Sequence, residues 1–195
     1  MKFTFFLLAI MGIALSCQNS VEEEIKETNY GSNLVFGDAN YRFPSLTAPA
    51  KEHAIRWGVL EDFISESQKL NGSNFNALKN GSERLTQYSD SLFKNIPDTL
   101  NINSIQSRLL VLKTRAQLLY QNAHNAKMDS AAIQNSVIEM NHAVKNLIVQ
   151  MNEKFQKDFI DSQRIGNEKM ELRAQQRYRD SIMDLERQDL KNRKL

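Results

Sequence analysis

The hydrophobic positions of this chain change rhythm twice. Residues 3–15 form an almost unbroken apolar run, residues 18–49 show no period, and from residue 50 apolar side chains recur every third or fourth position. That last spacing predicts amphipathic helices. Ile55, Val59, Leu60, Phe63, Ile64 and Leu70 predict one helix from about Ala50 to Leu70, ended by Asn71-Gly72-Ser73. Phe75, Leu78, Leu85, Tyr88, Leu92 and Ile96 predict a second, closed by Pro97. Gly81 weakens its middle by about 1 kcal/mol relative to Ala.

The third helix has the clearest pattern. Ser104 is its expected cap, and Ile105, Leu109, Leu112, Ala116, Leu119 and Ala123 repeat at alternating steps of four and three, the seam of a left-handed bundle. Asp129 is the expected N-cap of the fourth. Its seam runs through Ile133, Val137, Met140, Val144, Leu147, Ile148, Met151 and Phe155. The short connection Asn122–Lys127 predicts that helices three and four pair antiparallel.

Beyond Phe159 and Ile160 the pattern thins. Gly166 interrupts the stripe, and the remainder is strongly charged, with Met170, Ala174, Tyr178, Ile182 and Leu185 as a drifting stripe. A helix from Asp129 to Leu195 would span about 100 Å against about 30 Å for its partners, so the tail must overhang. A solvated helix, an oligomerising coil and a frayed end all suit it, the heptads being too irregular to specify a coiled coil. The expected fold is all-α: an antiparallel bundle of about four helices over residues 50–163, with a charged helical tail over 164–195.

The opening run changes the picture. Lys2 precedes the apolar stretch Phe3–Leu15, and Ser16-Cys17 follows it. A run of about 13 residues is too short to span a bilayer and suits a cleavable export signal. The segment resembles the signal peptide and lipobox of bacterial lipoproteins, with Ala14 where that pattern prefers Leu. The resemblance implies removal of residues 1–16, acylation of Cys17 and attachment to the cell envelope. The expected site is the outer membrane, on its periplasmic face or at the cell surface. Residues 17–49 then form a lipid-anchored tether. Its Glu22-Glu23-Glu24 cluster resembles the surface-export signal of Bacteroidota lipoproteins, and Gln18 lacks the retention mark that Asp would supply there. Residues 29–49 read as a flexible linker, although Phe36, Tyr41 and Phe43 would also suit packing onto the domain. The overall plan resembles small helical lipoproteins of Bacteroidota.

Composition narrows the partners. The formal charge of +2 becomes +1 once Lys2 is lost, which argues against nucleic acid. The single cysteine excludes an internal disulfide. Seven Gly and three Pro in 195 residues favour long helices.

Candidate chemistry is sparse. Glu139 and His142 sit three apart on one helix, the spacing of ligands in di-iron bundles. Such sites use two motifs of this kind, and here there is one, so a surface pair is the plainer reading. No haem, zinc or phosphate-loop motif occurs, and no cofactor is expected. Trp57 reads as a packing anchor; exposed beside Tyr41 or Phe43 it would favour a sugar or peptide surface. Asp-Ser/Thr-apolar triplets at Ser91, Thr99, Ser130 and Ser181 resemble O-glycosylation acceptors of exported Bacteroidota proteins, although Asp and Ser also start helices. Asn71-Gly72-Ser73 and Asn80-Gly81-Ser82 match the N-glycan sequon but read better as turn and breaker residues. The expected role is a non-enzymatic helical binding or scaffolding protein. Its partners would be the membrane through the lipid, an envelope protein or glycan, and a second copy through the C-terminal helix. A metal- or ligand-binding bundle built on Glu139 and His142 is the alternative.

Overall fold

A computed structural model describes residues 34–193; Cys17, the apolar run and the acidic cluster lie outside them. Among the described residues the chain is all-α. Its helices are α1 (Ala48–Ile55), α2 (Gly58–Leu70), α3 (Phe75–Lys94), α4 (Asn103–Ala123) and α5 (Ser130–Asn192), with a 3-10 turn at Asp98–Leu100. Two short strands, β1 (Val35–Phe36) and β2 (Ser73–Asn74), pair antiparallel with Val35 opposite Asn74 and Phe36 opposite Ser73.

Helices α2 to α5 pack in sequence, and α2 also meets α5, which closes the bundle. The alternating steps of four and three put Ile105, Leu109, Leu112, Ala116 and Leu119 of α4 fully inside. They face Ile133, Val137, Met140, Val144, Leu147 and Met151 of α5. Leu60, Phe63, Leu78 and Leu85 complete the core from α2 and α3. Each such side chain contributes about 1.5–3 kcal/mol through its burial. One ion pair laces each consecutive pair from α2 to α5: Arg84 to Glu66, Lys113 to Asp90 at 2.7 Å, and Arg115 to Glu139 at 3.1 Å.

The fold departs from the sequence expectations in three places. The first helix is two, because the chain turns at Arg56-Trp57. Trp57 is buried there, while Ile55, expected on the apolar stripe, is 67% exposed. The α4 helix starts at Asn103 with Ile102 at its N-cap and no side-chain cap, so Ser104 already lies inside it. As expected of an overhanging helix, α5 runs 63 residues, about 95 Å, straight through Gly166. Strong helix formers on both sides outweigh the roughly 1 kcal/mol cost of one glycine.

The third departure concerns the expected tether. Residues 34–47 pack on the bundle as a strap, so the folded part takes in described residues ahead of position 50. Phe36 is buried, and Phe43 and Leu46 are half-buried against the core. Gly37 (φ 71°) and Gly72 (φ 82°) turn the chain beside β1 and β2 in the left-handed region. A Cβ on Gly37 would sit 2.7 Å from Asn71 Oδ1, and one on Gly72 would sit 2.8 Å from Ala39 Cβ.

Candidate functional site

Asp129 caps α5 as expected, its carboxylate accepting from the Ala132 amide at 3.0 Å. About three turns after Asp129, Glu139 and His142 both lie exposed on the outside of α5. Glu139 is engaged by Arg115, which already supplies the positive charge a metal would bring. Among the described residues no three His, Cys, Asp or Glu side chains are grouped as a metal would need. The two residues are therefore close in space without forming a cage.

The four candidate acceptor hydroxyls all sit on helical backbone. Ser91, in the last turn of α3, is half-buried and donates to the Gln87 carbonyl at 3.2 Å. The acid before it, Asp90, is held by Lys113. Thr99 is exposed on the 3-10 turn, 3.2 Å from His53 Nδ1. Arg56 Nη2 lies 3.1 Å from the same nitrogen. Since arginine can only donate, Nδ1 is the acceptor in both contacts and the ring proton belongs on Nε2. The His53 ring also stacks on Phe155 at 4.5 Å. Ser130 and Ser181 are exposed, at the first position of α5 and deep in its projecting part.

Trp57 is 2% exposed and forms no platform with Tyr41 and Phe43, which instead meet each other edge to face at 5.2 Å. Burial raises the pKa of the Tyr41 phenol.

Polar side chains at the strap seams were not singled out by sequence reasoning. Gln134 of α5 accepts from the Gly37 amide at 2.8 Å. Asn152, five turns further along, accepts from the Thr47 amide at 2.8 Å and donates to the Ser45 carbonyl at 3.0 Å. Gln68 of α2 donates to the Tyr41 carbonyl at 2.7 Å. These amides stand in for the neighbouring strand that the extended strap lacks. Asn71 and Asn141 exchange two hydrogen bonds, at 3.1 and 2.7 Å, joining the end of α2 to the packed first half of α5. Polar residues flanking an apolar seam were their only trace in the sequence, and that trace resembles ordinary solvated helix surface.

Between the strap and helices α1 and α2 lies a half-open cleft of about 560 Å³. Leu60, Ile64 and Ile148 line its apolar wall, Phe43 and Leu46 come from the strap, and Arg42, Lys51 and Lys69 stand at its edge against Glu61. Its size is that of a small-molecule site. The exposed half of α5 offers the other surface. From Ser162 to Arg193 every residue is exposed. No helix among the described residues is long and apolar enough to cross a membrane. No family model, curated protein or solved structure matches this chain.

Proposed function

We propose that the chain is a lipid-anchored cell-envelope protein whose helical unit binds or scaffolds another envelope component without catalysing a reaction. The observation that carries this reading is α5. It continues for about 55 Å past Phe155, its last buried residue, with no other element of the described chain against it. A stiff element of that length is suited to contact something outside its own bundle. The lipobox-like Cys17 supplies the attachment to the outer membrane, and the residues before Leu34 supply the spacing. Thr99, Ser130 and Ser181 remain the acceptors proposed for O-glycosylation, since an enzyme can reach exposed hydroxyls. Ser91 is the weaker acceptor.

Two measurements in cells test the proposal. A tagged fatty acid should label the wild-type protein and not Cys17→Ser. Photocrosslinking residues placed at Arg179 on the tail and at Lys79 on the bundle should capture envelope neighbours mainly through Arg179. An unlabelled protein, or crosslinks confined to Lys79, would refute it.

A ligand-binding role has one observation in its favour, the cleft under the strap. Its apolar wall and cationic edge suit a small amphipathic anion. Displacement of an apolar anionic dye by a long-chain fatty acid, abolished in Ile64→Glu, would support that role. The metal version built on Glu139 and His142 is tested by elemental analysis of the purified protein. A stoichiometric transition metal lost in His142→Ala would establish it.

A further inference from the structure

We infer that the projecting half of α5 pairs along its length with the same segment of a second copy of the chain. This rests on the reading of α5 as an interaction element and specifies its partner. Five positions start the seam: Ile160, Gln163, Asn167, Met170 and Ala174, at steps of three, four, three and four. After one extra step of four, Tyr178, Ser181, Leu185, Gln188 and Asn192 repeat the pattern. At about 100° per residue these ten positions fill an arc of about 80°, and none is charged. The same stretch, residues 160–192, holds seven basic and seven acidic residues, all on the rest of the circumference. Charge is kept out of this stripe; a narrower uncharged sector at Ile165, Leu172, Gln176, Met183 and Leu190 lies on the opposite side, and the charges fill the circumference between the two.

That stripe is not a prolongation of the bundle seam. It is turned about 140° from the face that Ile133, Val137, Met140, Val144 and Leu147 bury. The projecting segment thus has a face of its own, with no other element of the described chain over it. The extra step of four after Ala174 is a stutter, which locally unwinds a left-handed supercoil and lets both halves stay in register.

The chemistry of the stripe selects its occupant. Half of its positions are polar, which is too wet and too narrow for an amphipathic helix lying in lipid. The flanks carry no net charge, so they favour neither an acidic nor a basic partner. Another copy presents the same uncharged stripe and the same balanced flanks. In a paired arrangement Asn167 occupies a core position of the kind that fixes register and strand number at some expense of affinity. About 50 Å of paired helix exceeds four heptads, enough for a specific pair.

Sedimentation of the full chain carrying Cys17→Ser, so that no lipid contributes, tests the inference. The mass should double between about 1 and 200 µM. Met170→Lys with Leu185→Lys, which charges the stripe, should raise the dissociation constant at least about tenfold. Leu172→Lys with Leu190→Lys, similarly exposed but on another face, should leave it unchanged. All four side chains lie beyond the bundle, and circular dichroism should confirm that helix content is kept. A single-chain mass at about 200 µM would overturn the inference, as would equal effects of the two double variants. Fatty-acid labelling at Cys17 reports on the anchor separately: a labelled protein that stays monomeric refutes the pairing alone, and an unlabelled dimer refutes the anchor alone.

Discussion

The two halves of α5 share one backbone and differ in nearly everything else. From Ile133 to Phe155 the helix buries a wide apolar face, and its polar side chains are committed to the strap, to Asn71 and to Arg115. From Ser162 onward it buries nothing and carries charge on most of its surface. The first half is held by packing. The second is held by helix propensity and by i,i+3 ion pairs such as Arg187 with Asp184, which contribute only tenths of a kcal/mol each. A helix of this length therefore owes its position to one half and offers the other to its surroundings.

Substitutions of equal chemistry in the two halves should break or sharpen that contrast. Leu147→Ala removes a fully packed side chain and should cost about 2–5 kcal/mol in urea unfolding. Leu185→Ala should stay within about 0.5 kcal/mol at low protein concentration. A large effect at Leu185 in dilute solution would mean that the tail folds back on its own bundle. Next in size, Asn141→Ala leaves the Asn71 amide short of partners in a buried place and should cost about 1–3 kcal/mol. Adding Asn71→Ala should cost little more, and additive losses would show that the two amides are not coupled.

Two helical glycines carry the contrast in miniature. A Cβ on Gly81 would lie 2.8 Å from Leu70 Cδ2 and 3.2 Å from Glu66 Oε1, in the tight α2–α3 contact. Around Gly166 nothing lies within 4 Å. Gly81→Ala should destabilise by about 1 kcal/mol, crowding outweighing the gain in propensity. Gly166→Ala should instead raise helix content and stabilise the tail by about 0.5–1 kcal/mol. Equal signs in thermal melts would remove the distinction.

The smallest effect concerns the strap. The folded-state pKa of Tyr41 is raised, so its contribution is intact below the unfolded value of 10.0 and is lost as pH climbs above it. Tyr41→Phe should flatten that part of the stability profile slightly.

Much of the bundle was legible because α4 and α5 spell their seams with large aliphatic residues at unbroken steps of three and four. The break at Trp57 was hidden. Ile55 keeps the helical spacing although it faces solvent, and burying a tryptophan leaves no periodic mark. The strap was missed for a different reason. Strands of two residues are too short to alternate, and the groups that hold the strap belong to α2 and α5, up to 107 residues away. The overhanging helix was legible from its length against its partners, and Gly166 breaks the apolar stripe without breaking the helix. Of the candidate site residues, Glu139 and His142 were neighbours as their spacing requires. What their spacing could not convey was that Arg115 of α4 would occupy Glu139.

The strap also decides how force would pass through the folded unit. Tension from the residues before Leu34 reaches the bundle first at β1 and then at the Gln134 and Asn152 contacts, one after another. Contacts loaded in series yield one at a time rather than together. Peeling residues 34–47 would lengthen the connection by about 45 Å while the seams of α3, α4 and α5 stay closed. The strap is in that sense an extensible mooring line, reeled in against the bundle at rest.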